Sequence, residues 1–308
     1  MNIVQKIIKK MMIAKKVLLI CHVDPDGDTV WSALALGSLL RQRKILAQVI
    51  CHDPLPETLR IFPEAKNIGK KLPTDHKDRL IIAMEAGNQE RVGYRVKVDI
   101  NIDHHLDNAR YAELNWVDGQ ASALGSLIYC LARAGKFRIN KEIAAYLYAA
   151  ISSDTGGFRF GNTTAQTFAD AEALVKKGAE PDKIYHMIYE NVSQGSLQKL
   201  GQALQDLRLI AKGRVVYSIV KKVDAETAHG IIDVIRTIRG TEIAILFKEV
   251  GPRDIRVSFR SKGTFNVQKI ANKFNGGGHK KAAGCSIRQP LNKAINLVLA
   301  EIKKNLHA

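Results

Sequence analysis

From position 16 onward the chain alternates short apolar runs with longer stretches of helical periodicity. Residues 16–20, 45–50, 80–84 and 98–102 are nearly continuous in apolar side chains and partly β-branched. That is the pattern of strands covered on both faces. Helical stretches fall at 30–42, 121–134, 141–152, 165–177 and 181–190, with a connector near 191–197. Strands that alternate with helices predict an α/β fold built on a doubly wound parallel sheet. The first fifteen residues, with Lys6, Lys9, Lys10 and Lys15 among apolar positions, have neither an uninterrupted apolar stretch nor a small-residue cleavage site. They predict an amphipathic helix and not a signal peptide.

Beyond about Arg208 the texture changes. Residues 214–220 and 242–248 read as strands, and 254–261 alternate polar and apolar with period two, as a half-buried strand does. Helices at 267–274 and 291–306 complete a smaller α/β module. A length of 308 residues suits two domains, each with its own core. The expected division is a first domain at 1–190, a linker at 191–207 and a second domain at 208–308.

Composition narrows this further. The 46% hydrophobic and 25% charged fractions exclude a disordered or collagen-like chain. No apolar run approaches the roughly 18 residues of a membrane span, so no membrane partner is expected. Cys21, Cys51, Cys130 and Cys285 are scattered without a C-x-x-C pair. A disulfide scaffold is therefore not expected, and a reducing, cytoplasmic setting is. Residues 1–190 hold 26 basic and 22 acidic side chains and residues 191–308 hold 21 and 8, which splits the formal charge of +17 into +4 and +13. A basic second half suits a polyanionic partner, and equally a Lys-rich soluble surface.

The candidate chemistry begins at Cys21-His22-Val23-Asp24-Pro25-Asp26-Gly27-Asp28, after a predicted strand and before a helix. One imidazole and three carboxylates this close repel one another unless a cation neutralises them, and the mixed donor set suits manganese. A polar capping loop with Asp28 as helix N-cap is the plainer alternative. Asp103-His104-His105 closes another predicted strand, Glu85 follows residues 80–84, and Ser152-Ser153-Asp154-Thr155-Gly156-Gly157-Phe158-Arg159 follows the apolar residues 149–151. Each lies at the carboxyl end of a predicted strand or core segment. In a parallel sheet such ends share the edge where ligands bind. In the basic half, Asn275-Gly276-Gly277-Gly278-His279-Lys280-Lys281 could cradle phosphate with backbone N–H groups, or be a flexible loop. It follows a strand whose alternation puts Arg256, Ser258 and Arg260 on one face.

These motifs, in this order and spacing, resemble the signature series of DHH phosphoesterases carrying a DHH-associated C-terminal domain. The resemblance runs from about Lys16 to Ser286 and is greatest to the nano-RNase/3′-phosphoadenosine 5′-phosphate phosphatase branch. It implies two manganese ions, with magnesium or cobalt as substitutes. His22 and Asp26 would hold one ion, Asp28, His104 and Asp154 the other, and Glu85 stands where the family has a bridging aspartate. His105 would sit near the scissile phosphate and Asp103 would orient the histidines. Arg159, Ser258, Arg260, Gly276, Gly277, Gly278 and His279 would contact substrate across an interdomain cleft. The implied activity is hydrolysis of short single-stranded RNA and of the bisphosphate, with a homodimer as a further expectation. Cyclic or linear dinucleotide cleavage and a weakened nucleotide sensor are the alternatives. Trp31 replaces the family's usual glycine, and its indole is expected either to stack on a substrate base or to repack against its own helix.

Overall fold

The computed structural model describes residues 1–221 and 230–306. It divides into two compact units, Met1–Asn191 and Val192–Ala308.

The first unit opens with helix α1 (Ile3–Ile13), whose Asn2 and Gln5 form a reciprocal capping box and whose Ile7 and Met11 enter the core. Strand β1 (Lys16–Cys21) leads into helix α2 (Gly27–Gln42). Then come β2 (Leu46–Cys51), β3 (Leu80–Met84), β4 (Ile100–Asp103) and β5 (Leu114–Val117), followed by α3 (Leu124–Ala134), α4 (Lys141–Asp154), α5 (Ala165–Lys176) and α6 (Pro181–Tyr189). The sheet is parallel throughout, in the order β2-β1-β3-β4-β5. Strand β1 is buried on both faces, as its run of apolar residues requires. Val17, Leu19 and Cys21 join the core beneath α2, α3 and α4, while Leu18 and Ile20 meet Ile81, Ala83, Val92 and Val98 on the other side. That second face is closed by irregular segments with Leu72, Tyr94 and Tyr111. Because the chain leaves β1 for β2 on one side and returns to β3 on the other, the order reverses between β1 and β3. This is the place where open α/β sheets bind ligands.

Helix α2 is buried along nearly its whole length, including Trp31, which explains why its sequence lacks a polar face. Strand β5 is an addition to the expected sheet. Its Leu-Asn-Trp-Val has only Trp116 buried, so it carries no continuous apolar run.

In the second unit, helix α7 (Gln194–Gln205) and strands β6 (Arg208–Ile210) and β7 (Val215–Lys221) come first. They are followed by α8 (Ile231–Ile235), β8 (Ile243–Gly251), β9 (Asp254–Ser261), α9 (Val267–Asn272), β10 (Gly277–His279), β11 (Ala282–Ile287) and α10 (Leu291–Leu306). The six-stranded sheet runs β10-β11-β9-β8-β7-β6 and is antiparallel except for the parallel pair β7–β8. Alternate residues of β7 serve two small cores. Val215 and Tyr217 face α9 and α10, and Val216 and Val220 face α7 and α8. Segment 191–207, expected as a linker, thus contains a helix that belongs to this unit. Ala203 of α7 is fully buried, and its carbonyl accepts from Ser218 Oγ at 2.8 Å. Among the described residues no helix is long and apolar enough to cross a membrane.

Candidate metal centre

The loop after β1 starts at His22, only 3% exposed. Its Nδ1 lies 2.7 Å from Val23 O, and its Nε2 faces Asp26 Oδ2 at 3.8 Å. Arg91 Nη2 approaches the same Nδ1 at 2.9 Å and shares the Val23 carbonyl at 3.5 Å. The N-cap of α2 is Asp26, not Asp28. Asp26 Oδ1 accepts from Thr29 N at 3.0 Å, one turn into the helix. Asp28 is already helical, and both its oxygens turn inward. Leu124 N donates to Oδ2 at 2.5 Å, and Gly125 N and Ser32 Oγ donate to Oδ1 at 2.9 and 3.2 Å.

Glu85 ends β3 with φ at +57°, a left-handed backbone that turns its side chain back over the sheet edge. Its Oε1 lies 3.0 Å from His104 Nε2, and Thr29 Oγ1 donates to its Oε2 at 2.6 Å. His104 Nδ1 faces Ala121 O at 3.3 Å, which again leaves Nε2 directed at carboxylates. The wholly buried Asp103 holds the next residue. Its Oδ1 accepts from His105 N at 2.9 Å and from His105 Nδ1 at 2.8 Å, and its Oδ2 accepts from Asn108 Nδ2 at 2.5 Å.

Asp154 comes from the last residue of α4 and not from the sheet. Its Oδ2 accepts from Asn162 Nδ2 at 3.0 Å and stands 3.9 Å from His104 Nε2. Thr29, Ser32 and Asn162 carry no motif of their own, and only tertiary proximity reveals them.

Two donor groups result, His22 with Asp26 and Glu85, and Asp28 with His104 and Asp154, each with one atom per residue within 4.8 Å of the others. The electrostatics match a centre made for cations. Burial pushes Asp28 well above the usual carboxylate range, and Glu85 and Asp154 push it further. Burial likewise raises Asp154 to about 7, with His104 opposing and Glu85 and Asp26 adding. Burial works against charge on His104, yet Glu85, Asp154 and Asp28 lift its pKa well above the ordinary value. Carboxylates packed this closely are compensated only by borrowed protons or a bound cation. An imidazole like His104, with Nδ1 on a carbonyl and Nε2 among carboxylates, is the donor arrangement that suits divalent ions. Residues His22, Asp26, Asp28, Glu85, His104 and Asp154 therefore fit a pair of divalent ions.

Other expected site residues fare differently. Trp31 is a correction to the base-stacking expectation. It is 1% exposed, its Nε1 donates to Leu59 O at 3.2 Å, and its ring meets Phe62 edge-on at 6.1 Å. The indole found apolar neighbours and a carbonyl inside the unit, so no face is left for a base. Arg159 is exposed, with Nε donating to Gly156 O at 2.7 Å. In the second unit the alternation of β9 holds, with Arg256, Ser258 and Arg260 partly exposed opposite buried Ile255, Val257 and Phe259. Arg260 Nε lies 3.5 Å from Asp233 Oδ1. The glycine run is a strand and not a loop. Gly277 to His279 pair with β11, and a Cβ on Gly276 or Gly278 would stand 2.2 Å from Gly284 O or 2.6 Å from Ala282 O. Close approach of two strands explains those two glycines without an anion, while Gly277 faces open space.

Comparison with known proteins agrees with the fold. Residues 16–151 match the model of the DHH family, N-terminal domain, and residues 212–308 match the DHHA1 domain. The bifunctional oligoribonuclease and PAP phosphatase NrnA of Bacillus subtilis is 30% identical over 300 residues, covering 92% of each chain. An exopolyphosphatase-related protein from Bacteroides fragilis superposes with a TM-score of 0.87 at 23% identity, over 98% of this chain and 96% of that one. RecJ from Thermus thermophilus, in complex with manganese, superposes with a TM-score of 0.55 at 12% identity, over 93% of this chain and 52% of that one.

Proposed function

The chain belongs to the DHH family and carries a DHHA1 domain, and from that membership we propose that it is a manganese-dependent phosphoesterase. Its proposed substrates are oligoribonucleotides of two to a few residues, cleaved to mononucleotides, and 3′-phosphoadenosine 5′-phosphate. The observation that carries the reading is the pair of donor groups, His22–Asp26–Glu85 and Asp28–His104–Asp154, gathered at one sheet edge. The names of the Bacillus subtilis relative and of the manganese-bound RecJ support the substrate and the metal respectively.

Paired divalent ions supply activation of water and neutralisation of charge on phosphoryl oxygens. The chain's own residues do the rest. Burial disfavours a charge on His105, but Asp103, bonded to its Nδ1, and Glu85 raise its pKa and so favour the protonated ring. From Nε2 that proton can pass to the leaving oxygen as the ester bond breaks. Asp103, fixed by Asn108, sets the ring's orientation. Arg256, Ser258 and Arg260 on one face of β9 offer phosphate donors in the basic unit, where Gly277 faces open space. Glu85 and Trp31 lend no support to a weakened sensor, since Glu85 is bonded within the centre and Trp31 lies inside the core.

The test is a turnover screen of chelated, manganese-repleted protein on RNAs of two to about ten residues, the bisphosphate and cyclic dinucleotides. Mononucleotides released chiefly from the shortest RNAs support the reading. Preferred cleavage of cyclic dinucleotides moves the substrate class, and no turnover of any of them removes the activity.

A further inference from the structure

Thr29 belongs to no motif, yet it touches two candidate metal-binding side chains at once. It is fully buried in the first turn of α2. Its backbone N–H donates to Asp26 Oδ1 at 3.0 Å and its hydroxyl donates to Glu85 Oε2 at 2.6 Å. A threonine hydroxyl inside a helix ordinarily bonds back to a carbonyl of the preceding turn. This one is instead spent across the sheet edge, on the residue that ends β3.

Glu85 needs such a partner. Glutamate has one more side-chain torsion than aspartate, and here it starts from a left-handed backbone with φ at +57°. Its carboxylate is nevertheless held at both ends, Oε2 on the Thr29 hydroxyl and Oε1 at 3.0 Å from His104 Nε2. A hydroxyl donor on one oxygen stops the carboxylate from rotating and leaves the other oxygen directed at the shared centre.

We infer that Thr29 is a positioning residue for the candidate metal centre, its hydroxyl fixing the Glu85 carboxylate while its amide fixes Asp26. One residue thereby holds two of the three members of the His22–Asp26–Glu85 group, Asp26 by its amide and Glu85 by its hydroxyl, and the hydroxyl lets a glutamate serve where a shorter carboxylate would reach the centre unaided. This rests on reading that group as a metal site.

The test is manganese titration by calorimetry of the full-length, chelated chain. Thr29→Val removes the hydroxyl while keeping the shape and the amide, and Thr29→Ser keeps the hydroxyl. Thr29→Val should weaken one manganese ion by about 10-fold or more, the range for loss of a group that orients a ligand, while Thr29→Ser binds like the parent. In a Glu85→Asp background, where the shortened carboxylate no longer meets the hydroxyl, adding Thr29→Val should change affinity less than about two-fold, the near-zero coupling of a severed pair. Parent-like binding by Thr29→Val, or equal weakening by Thr29→Ser, overturns the inference while the metal site stands. A parent chain that binds no manganese overturns the metal reading and this inference together.

Discussion

Asp28 Oδ2 lies 2.5 Å from the amide of Leu124, the first residue of α3, and Oδ1 takes the amide of Gly125 at 2.9 Å. The carboxylate that would hold a metal also satisfies the buried N–H groups that open another helix, whose own N-cap residue, Ala123, has no side-chain acceptor to do so.

Asp28→Ala therefore removes more than a ligand. Two buried amides lose their acceptor, and chelated Asp28→Ala should be less stable than the parent by about 2 kcal/mol in urea unfolding. Asp154→Asn, at the end of α4 beside Asn162 and His104, should abolish turnover without a comparable loss of stability in the same measurement. Equal stability losses in both would show that Asp28 does not anchor α3.

The pH dependence of the chelated chain carries a definite sign. Asp154 is raised in the folded state from 3.8 to about 7, so the stability its neutral form contributes is complete below pH 4 and is lost as pH rises through 7. His104, also raised, acts in the same direction above its ordinary value of 6.5, while Asp103, lowered mainly by His105 against its burial, acts in the opposite sense at acid pH. Urea midpoints of chelated protein should fall between pH 5 and pH 8, and Asp154→Asn should flatten part of that fall. Saturating manganese should flatten it too, because binding displaces the same protons.

Trp31→Ala should cost stability and not recognition. Deleting a fully buried indole leaves a cavity worth about 3–5 kcal/mol. Affinity for a dinucleotide, measured by fluorescence titration under conditions where the variant is folded, should stay within about two-fold, the margin left to a residue outside the contact. A larger loss of affinity, at unchanged stability, would return the indole to base recognition.

Arg260→Ala should raise KM for a short RNA by about ten-fold or more while kcat moves little, as expected when a charge-assisted contact to bound phosphate is lost. Steady-state kinetics with a dinucleotide decide it. A proportional loss of kcat at unchanged KM would place Arg260 in the chemistry instead.

How much of this could be read from residues alone depends on whether the governing contacts are local. Strands β1 and β3 are covered on both faces, so their apolar runs announce them. His22, Asp26, Asp103 and His104 end or follow such runs and could be placed at the sheet edge for the same reason. Strand β5 stayed hidden because only Trp116 of its four residues is buried. The run Gly276 to Gly278 looked like a loop because glycine serves a loop and a close strand approach equally well. Thr29 and Asn162 reach partners on other elements, Glu85 and Ser122, and no spacing along the chain marks that. Trp31 was ambiguous because a large residue in a buried helix can turn either way, and the pocket formed by Leu59 and Phe62 exists only in the folded unit.

The order β2-β1-β3-β4-β5 has a consequence for how the centre comes into being. His22, Glu85 and His104 follow three strands that are neighbours in space but lie 63 and 19 residues apart along the chain. No local segment contains either donor group whole, so the unfolded chain offers a divalent ion at most part of one, in the loop from His22 to Asp28. Closing those long loops is slow and uncompensated until the strands register. An ion that binds only afterwards acts as a latch on a finished sheet, slowing its opening without hastening its assembly. Metal supply would then govern how long each molecule survives once folded, and have little bearing on how quickly it folds.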